Sequence, residues 1–197
     1  MILSILVCST QNRYNTFLPK ILKQLFDQCE ALPFCYRYDV EVITVIDNKT
    51  RMLGTKRNDL LKMAQGDYVV FVDDDDRVSD DYVIELLNGC MTRADIITFE
   101  VSVSLNGNAP KPCFYDMKYE ADFNLPDSYH RLPNHIMAVK KELAMEVQYQ
   151  DILKGEDADY SKRLLPLLNT QHSIEKVLYH YDYSDETTET QQKLKRK

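Results

Sequence analysis

The chain has 197 residues, 44% hydrophobic and 28% charged, the composition of an ordinary globular protein long enough to bury a substantial core. A net charge of −7 excludes a protein that coats nucleic acid through a broad basic face, while leaving a local basic groove open. Five cysteines without a CxxC pair and four scattered histidines offer no zinc-ligand spacing, and Cys8 and Cys90 read as buried thiols of a reducing compartment.

Residues 2–8 form a continuous apolar run, the pattern of a strand buried on both faces in a parallel sheet. The run is too short for a signal core, and no stretch reaches the roughly twenty apolar residues that span a bilayer. A cytoplasmic protein is expected. Phe17, Leu18, Ile21, Leu22, Leu25, Phe26 and Cys29 then recur at helical spacing, with Thr16 as cap. Residues 41–46 predict a second strand, ending at Asp47-Asn48. Residues 55–65 predict a helix with Leu60, Leu61 and Ala64 on one face, closed by Gly66. A third strand follows over 68–72, and Ser79 is placed to cap a helix through Tyr82, Val83, Leu86, Leu87 and Cys90. Residues 94–105 read as a longer strand, with Asn106-Gly107 turning into a partner over 113–119. Beyond it, 134–139 predict a short strand leading into a helix near Lys141. Residues 156–165 have helical spacing and 174–181 predict a final strand. After Ser184 the chain turns polar and ends Lys-Leu-Lys-Arg-Lys, a frayed helix or disordered tail that could touch an anionic membrane or nucleic acid.

The first hundred residues therefore alternate strand and helix. That order predicts an α/β protein with a doubly wound, mainly parallel sheet, its ligands held beyond the carboxyl ends of the strands. Asp47 lies at such an end. So does the run Asp73-Asp74-Asp75-Asp76, which closes the third strand. Four adjacent carboxylates repel one another, and a fold that concentrates them suits a divalent cation with hard oxygen ligands. Strand alternation would place Asp73 and Asp75 on one face and Asp74 and Asp76 on the other. A solvated turn that caps the next helix is the plainer reading. An acidic turn closing a strictly apolar strand favours the metal.

The order of these motifs resembles the family 2 glycosyltransferases of the GT-A fold, which are nucleotide-sugar-dependent and inverting. Five pieces carry the resemblance: Leu3-Ser4-Ile5-Leu6-Val7, Val45-Ile46-Asp47-Asn48, Gly54-Thr55-Lys56-Arg57-Asn58, the run from Gly66 to Asp76, and Gly155-Glu156-Asp157 with Arg163 beyond it. It extends from Leu3 to about Ser184. It implies one GT-A-like domain over 1–184, a nucleotide-sugar-binding half over 1–105, a small acceptor half over 106–184, and a tail over 185–197.

Site roles follow from the resemblance position by position. Asp47 is expected to bind base or ribose, where an Asx turn after a strand is the competing reading. Arg57 matches the family's arginine near base and phosphates, with Lys56 as its substitute. Asp73 and Asp75 match the DxD pair and Asp76 the Asp that often follows it, holding Mn²⁺ or Mg²⁺ against the donor diphosphate. Asp74 is expected to lie beside the ribose. Glu156-Asp157 resembles the family's ED motif, with Asp157 as general base; the same acids also suit a helix N-terminus. His180 stands near where some relatives carry a histidine that completes metal coordination or contacts phosphate. His135 precedes a strand on the acceptor side, and Tyr115, Tyr119 and Tyr129 flank that side. His130 and His172 carry no signal. The implied activity is metal-dependent, inverting transfer from a nucleoside diphosphate sugar, UDP foremost, to an acceptor hydroxyl. A glycan, a lipid-linked glycan, a protein and a modified nucleic acid all stay open as acceptor. The alternatives are a nucleotide-sugar-binding module without turnover and another metal-dependent phosphate-handling enzyme. A P-loop enzyme is excluded, since no GxxxxGK[ST] occurs.

Overall fold

The opening apolar run becomes the middle of a parallel trio. In the computed structural model, which describes residues 1–185, β1 (Leu3–Thr10) pairs in parallel with β2 (Val40–Asp47) on one side and β3 (Tyr68–Asp73) on the other. Helix α1 (Leu18–Ala31) joins the first two strands and α2 (Leu53–Met63) leads into the third. After β3 come a two-residue strand, β4 (Arg77–Val78), and α3 (Tyr82–Met91). The long β5 (Ile96–Leu105) turns back into β6 (Lys111–Tyr115). Two short strands follow, β7 (Phe123–Asn124) and β8 (Tyr129–Arg131), then β9 (Ala138–Lys140) with α4 (Lys141–Val147) directly behind it. Helix α5 (Glu156–Leu164) and β10 (Gln171–Tyr183) complete the described chain.

All ten strands belong to one sheet in the order β2-β1-β3-β9-β5-β6-β8-β7, with β10 beside β5 and β4 beside β10. The expected mainly parallel α/β sheet is present. The antiparallel β9 stands between β3 and β5, which keeps those two strands parallel to each other. Leu3, Ile5, Leu6 and Val7 from β1, Val69 to Val72 from β3, and Leu60, Leu61, Leu86 and Leu87 from the helices form the core. No helix of the described residues is long and apolar enough to cross a membrane. The basic end of the tail, beyond residue 185, lies outside the described residues.

Three local expectations are corrected. Thr16 turns its hydroxyl to the Arg13 carbonyl, so Phe17 starts α1 without a side-chain cap. Ser79 donates to the Asp81 carboxylate at 2.7 Å, and Asp81 precedes α3. Gly66 does not close α2, which ends at Met63. A Cβ on Gly66 would lie 2.7 Å from the Ser4 nitrogen and 2.8 Å from the Leu3 carbonyl carbon. Its own N–H donates to Ser4 Oγ at 2.8 Å. The glycine is needed for the close approach of the loop to β1, not for a left-handed cap.

The Asn106-Gly107 turn forms as expected, with φ of 52° and 74° and the Asn108 N–H donating to the Leu105 carbonyl at 3.0 Å. Strands β4, β7 and β8 are too short to show a period. The small region around β6, β7 and β8 packs on the His130 ring, which stacks on Phe123 with centroids 4.4 Å apart. The Tyr119 hydroxyl and Ser128 Oγ each lie 2.9 Å from one of its ring nitrogens.

Asp95 ties β5 to its neighbours. Its carboxylate accepts from Lys140 Nζ at 2.9 Å and from the Asn169 and Thr170 amides at 2.8 and 3.0 Å. Burial pushes this carboxyl up, but the hydrogen bonds outweigh it and bring it down to about 2. A pKa below the unfolded value stabilises the fold above about pH 4, and the contribution is lost as pH falls toward 2. Asp95→Ala is expected to cost about 2 kcal/mol at pH 7. In urea titrations its deficit against wild type should shrink as pH drops from 5 toward 2. Gly66→Ala should cost about 2 kcal/mol at every pH, since its Cβ meets backbone that can only move aside.

Candidate active site

The parallel register brings three strand ends level: Thr10 of β1 lies beside Asp47 of β2, and Cys8 of β1 beside Asp73 of β3. The first turns of α2 supply the cations. A Cβ on Gly54 would lie 2.3 Å from the Gln150 carbonyl oxygen, so only glycine lets α2 meet the segment after α4 this closely. Asn58 fastens that contact by donating to the Tyr149 carbonyl and accepting from its N–H, both at 2.8 Å. Lys56 and Arg57 are thereby carried inward, and both are buried.

Lys56 Nζ lies 3.1 Å from Asp47 Oδ1 and 3.4 Å from the Ser9 carbonyl. The Lys49 and Arg51 amides also donate to Asp47, at 3.2 and 3.3 Å. Burial alone would raise this carboxyl; the Lys56 and amide hydrogen bonds outweigh it and hold it below its usual value.

Arg57 sits deeper. Its Nη1 donates to Glu156 Oε1 at 3.2 Å, and its Nη2 lies 3.6 Å from Asp73 Oδ1. The guanidinium stands 5.6 Å from the Phe71 ring centroid and 5.2 Å from that of Tyr149, which stacks on Tyr160. Burial favours losing its proton, but the charge of Asp73 and the groups beyond it prevail, so its pKa is raised. Its Nε has no hydrogen-bond partner among the described residues.

Strand alternation does not continue through the aspartates, because β3 stops at Asp73 and the chain turns, with the Asp76 N–H on the Asp73 carbonyl. Asp73 and Asp75 consequently point to different partners. Asp73 lies 3.3 Å from His135 Nε2 and faces Arg57. Burial would raise its carboxyl, yet His135, Arg57 and Arg13 hold it well below the carboxylate range. Asp74 accepts from Ser9 Oγ at 2.5 Å and pairs with Arg13 Nε at 3.2 Å. Burial nevertheless pushes it up to about 6. Asp75 pairs with Arg13 Nη2 at 2.5 Å, and burial raises its carboxyl against that charge. Asp76 accepts from the Tyr179 hydroxyl at 2.8 Å. Burial, then Asp73 and Asp75, push its carboxyl well above the ordinary value. The Tyr179 hydroxyl also accepts from the Asp73 amide at 3.0 Å, so one side chain of β10 ties both ends of the aspartate turn.

Among the described residues no three carboxylate, histidine or cysteine side chains are gathered to hold a metal ion unaided. The donor chemistry still fits one. The aspartates are hard oxygen donors, three of them raised first by burial and then by neighbouring carboxylates, and Mg²⁺-type sites commonly take one or two carboxylates and complete their shell with phosphate and water. His180 is not brought to the aspartates. Its neighbours are Arg77 and Asp182, and burial with the Arg77 charge lowers its pKa. His135, read as a possible acceptor contact, lies against Asp73, and its carbonyl accepts from the Phe71 amide.

Helix α5 begins after Gly155. Glu156 points to Arg57, whereas Asp157 is half-buried, accepts from the Ala158 N–H at 2.8 Å, and pairs with no cation among the described residues. Arg163 braces the helix, donating to Asp159 at 2.8 Å and to the Val147 and Gln148 carbonyls. Tyr119 supports His130, and Tyr129 lies under Arg131. The sequence reading missed Ser9, Arg13, Tyr149 and Tyr179. Arg13 carried a signal: it is the one charge in residues 11–17, on the loop facing the aspartate run.

The sequence model for glycosyl transferase family 2 matches residues 42–147. No curated protein matches the chain by sequence. Among solved structures, S. aureus TarS superposes with a TM-score of 0.70 at 17% identity, covering 94% of this chain and 37% of that one. TarS 1–349 in complex with UDP-GlcNAc superposes with a TM-score of 0.71 at 15% identity, over 93% of this chain and 59% of that one. The complex of TarS 1–349 with UDP gives 0.70 at 17%, over 94% and 62%. The likeness establishes a GT-A-like fold, and the chain spans 37 to 62% of the length of these TarS chains.

Arg57→Met should leave Glu156 and Asp73 facing each other without their shared cation. The expected loss is about 3 kcal/mol in urea denaturation. Adding Glu156→Gln should recover part of it, because one of the stranded charges is then removed.

Proposed function

Because the chain belongs to glycosyl transferase family 2, with the matched segment occupying more than half of its length, we propose that it moves a sugar from a UDP-sugar to an acceptor hydroxyl with inversion, assisted by Mn²⁺ or Mg²⁺. One observation carries this reading. Lys56 pairs with Asp47 at the end of β2, and Arg57 joins Asp73 at the end of β3 to Glu156 at the start of α5, where Asp157 is the next residue. The TarS complexes with UDP-GlcNAc and UDP support the donor class.

Asp47 can accept hydrogen bonds from a base or ribose, with Lys56 keeping it ionised. Buried Lys56 and Arg57 place fixed positive charge where a diphosphate would leave, and such preorganised charge is worth most in a site shielded from water. Asp75, with Asp73 and Asp76, is the set we assign to the divalent cation; among the described residues His180 lies beside Arg77 and Asp182. When bound, that cation would neutralise charge developing on the leaving diphosphate. Asp157 is the general base. Its carboxylate pairs with no cation among the described residues, and it can take the acceptor proton as that oxygen attacks the anomeric carbon from the side opposite the nucleotide. Glu156 is a positioning residue, since it fixes the start of α5 through Arg57.

We assign residues 1–105 to the donor half and 106–184 to the acceptor half, with Tyr115, Tyr119 and Tyr129 on the latter. The acceptor class stays open among glycans, lipid-linked glycans, proteins and modified nucleic acids. The cysteines of the described residues are unpaired, which supports a reducing, cytoplasmic setting.

Calorimetric titration of UDP and GDP, with and without Mn²⁺, tests the donor site. UDP should bind best with Mn²⁺ and lose at least about tenfold in affinity in Asp75→Ala. Asp157→Asn should keep UDP binding while hydrolysis of UDP-GlcNAc, with water as acceptor, falls about a hundredfold or more. Binding without turnover of any UDP-sugar would leave a binding module. Failure of both nucleotides to bind under all metal conditions would sink the glycosyltransferase reading.

A further inference from the structure

Arg13 reaches the site from the loop between β1 and α1. Its guanidinium lies 4.8 Å from the Phe17 ring centroid, is nearly buried, and spans two carboxylates: Nε to Asp74 Oδ1 at 3.2 Å and Nη2 to Asp75 Oδ2 at 2.5 Å. The two are held unequally. The Asp74 side chain is 4% exposed, and its second oxygen takes the Ser9 hydroxyl. Asp74 is therefore an anchor with both oxygens engaged. The Asp75 side chain is 20% exposed, and Arg13 is the cation paired with it among the described residues.

We propose that Arg13 is a resident counter-cation of the aspartate turn, which must release Asp75 before a divalent cation takes that carboxylate. The proposal rests on the reading of Asp75 as a metal-binding residue. A guanidinium and a divalent ion on one carboxylate repel strongly where water is scarce. Metal alone must therefore displace Arg13 without compensation. A nucleoside diphosphate changes the balance, because its negative charge can receive the freed guanidinium while Asp74 retains Nε. The cation then binds tightly only together with the nucleotide, and by linkage each raises the affinity of the other by the same factor. Arg13 acts here as a positioning residue that sets this coupling.

Arg13→Gln retains N–H donors and removes the charge. Mn²⁺ alone is titrated into wild type and variant, by calorimetry and by the paramagnetic resonance of free Mn²⁺, with and without UDP. The variant should bind Mn²⁺ alone about tenfold tighter, and the enhancement by UDP should shrink by the same factor. A merely structural arginine would give weaker binding on removal. Unchanged or weaker Mn²⁺ binding in a variant that unfolds at the wild-type temperature overturns the proposal. Wild-type protein that binds neither Mn²⁺ nor UDP defeats the functional reading along with it; normal wild-type binding with an unaltered variant defeats the Arg13 proposal alone. Should Arg13→Gln not fold, the wild-type Arg13 Nη2–H resonance, assigned by its disappearance in Arg13→Lys, is followed instead. It should shift when Mg²⁺ and UDP are both present, and a resonance unmoved by the pair overturns the proposal.

Discussion

Four successive carboxylates at the end of a buried strand cannot all face the same way, because the charge they would concentrate there has too little water to screen it. The turn after Asp73 distributes them. Asp73 goes to His135 and Arg57, Asp74 to Ser9 and Arg13, Asp75 to the other end of Arg13, and Asp76 to Tyr179. Each partner arrives from a different element, so the turn holds its shape only when the loop after β1, the start of α2 and the far strand β10 are all in place. The arrangement remains short of positive charge, and burial raises three of the four carboxyls.

Arg57 is the second organising charge. It lies against two aromatic rings and links β3 to α5 through Asp73 and Glu156. An ion pair of this depth contributes little net stability against an apolar replacement. What it supplies is position: the start of α5, and Asp157 with it, is referred to the aspartate turn through one guanidinium. The Gly54 and Asn58 contacts with the segment at 149–150 serve the same end, since they fix the height at which α2 presents Lys56 and Arg57.

Much of the sheet and of the site was readable in the residues themselves. The apolar runs of β1 and β3, the helical spacing of α1 and α3, and the Asn106-Gly107 turn follow from local periodicity and local backbone preference. Tertiary contacts overrode the local rules where the two competed: Thr16 and Ser79 have better partners than a helix end, and Gly66 answers to β1. The two-residue and three-residue strands have no period to detect. His130 looked uninformative because its role is to be packed from all sides by residues at other positions in the chain.

The sequence by itself determined the alternation of strand and helix, the placing of Asp47 and the aspartate run at strand ends, and the family, because these depend on residue type and spacing over short stretches. Tertiary structure alone decided which partner each charge takes. Arg57 meets Glu156 across 99 residues, and Tyr179 meets Asp76 across 103. Pairings at that separation are settled by how the sheet and its helices pack and by which charges can share a buried volume. No local pattern in the chain records them.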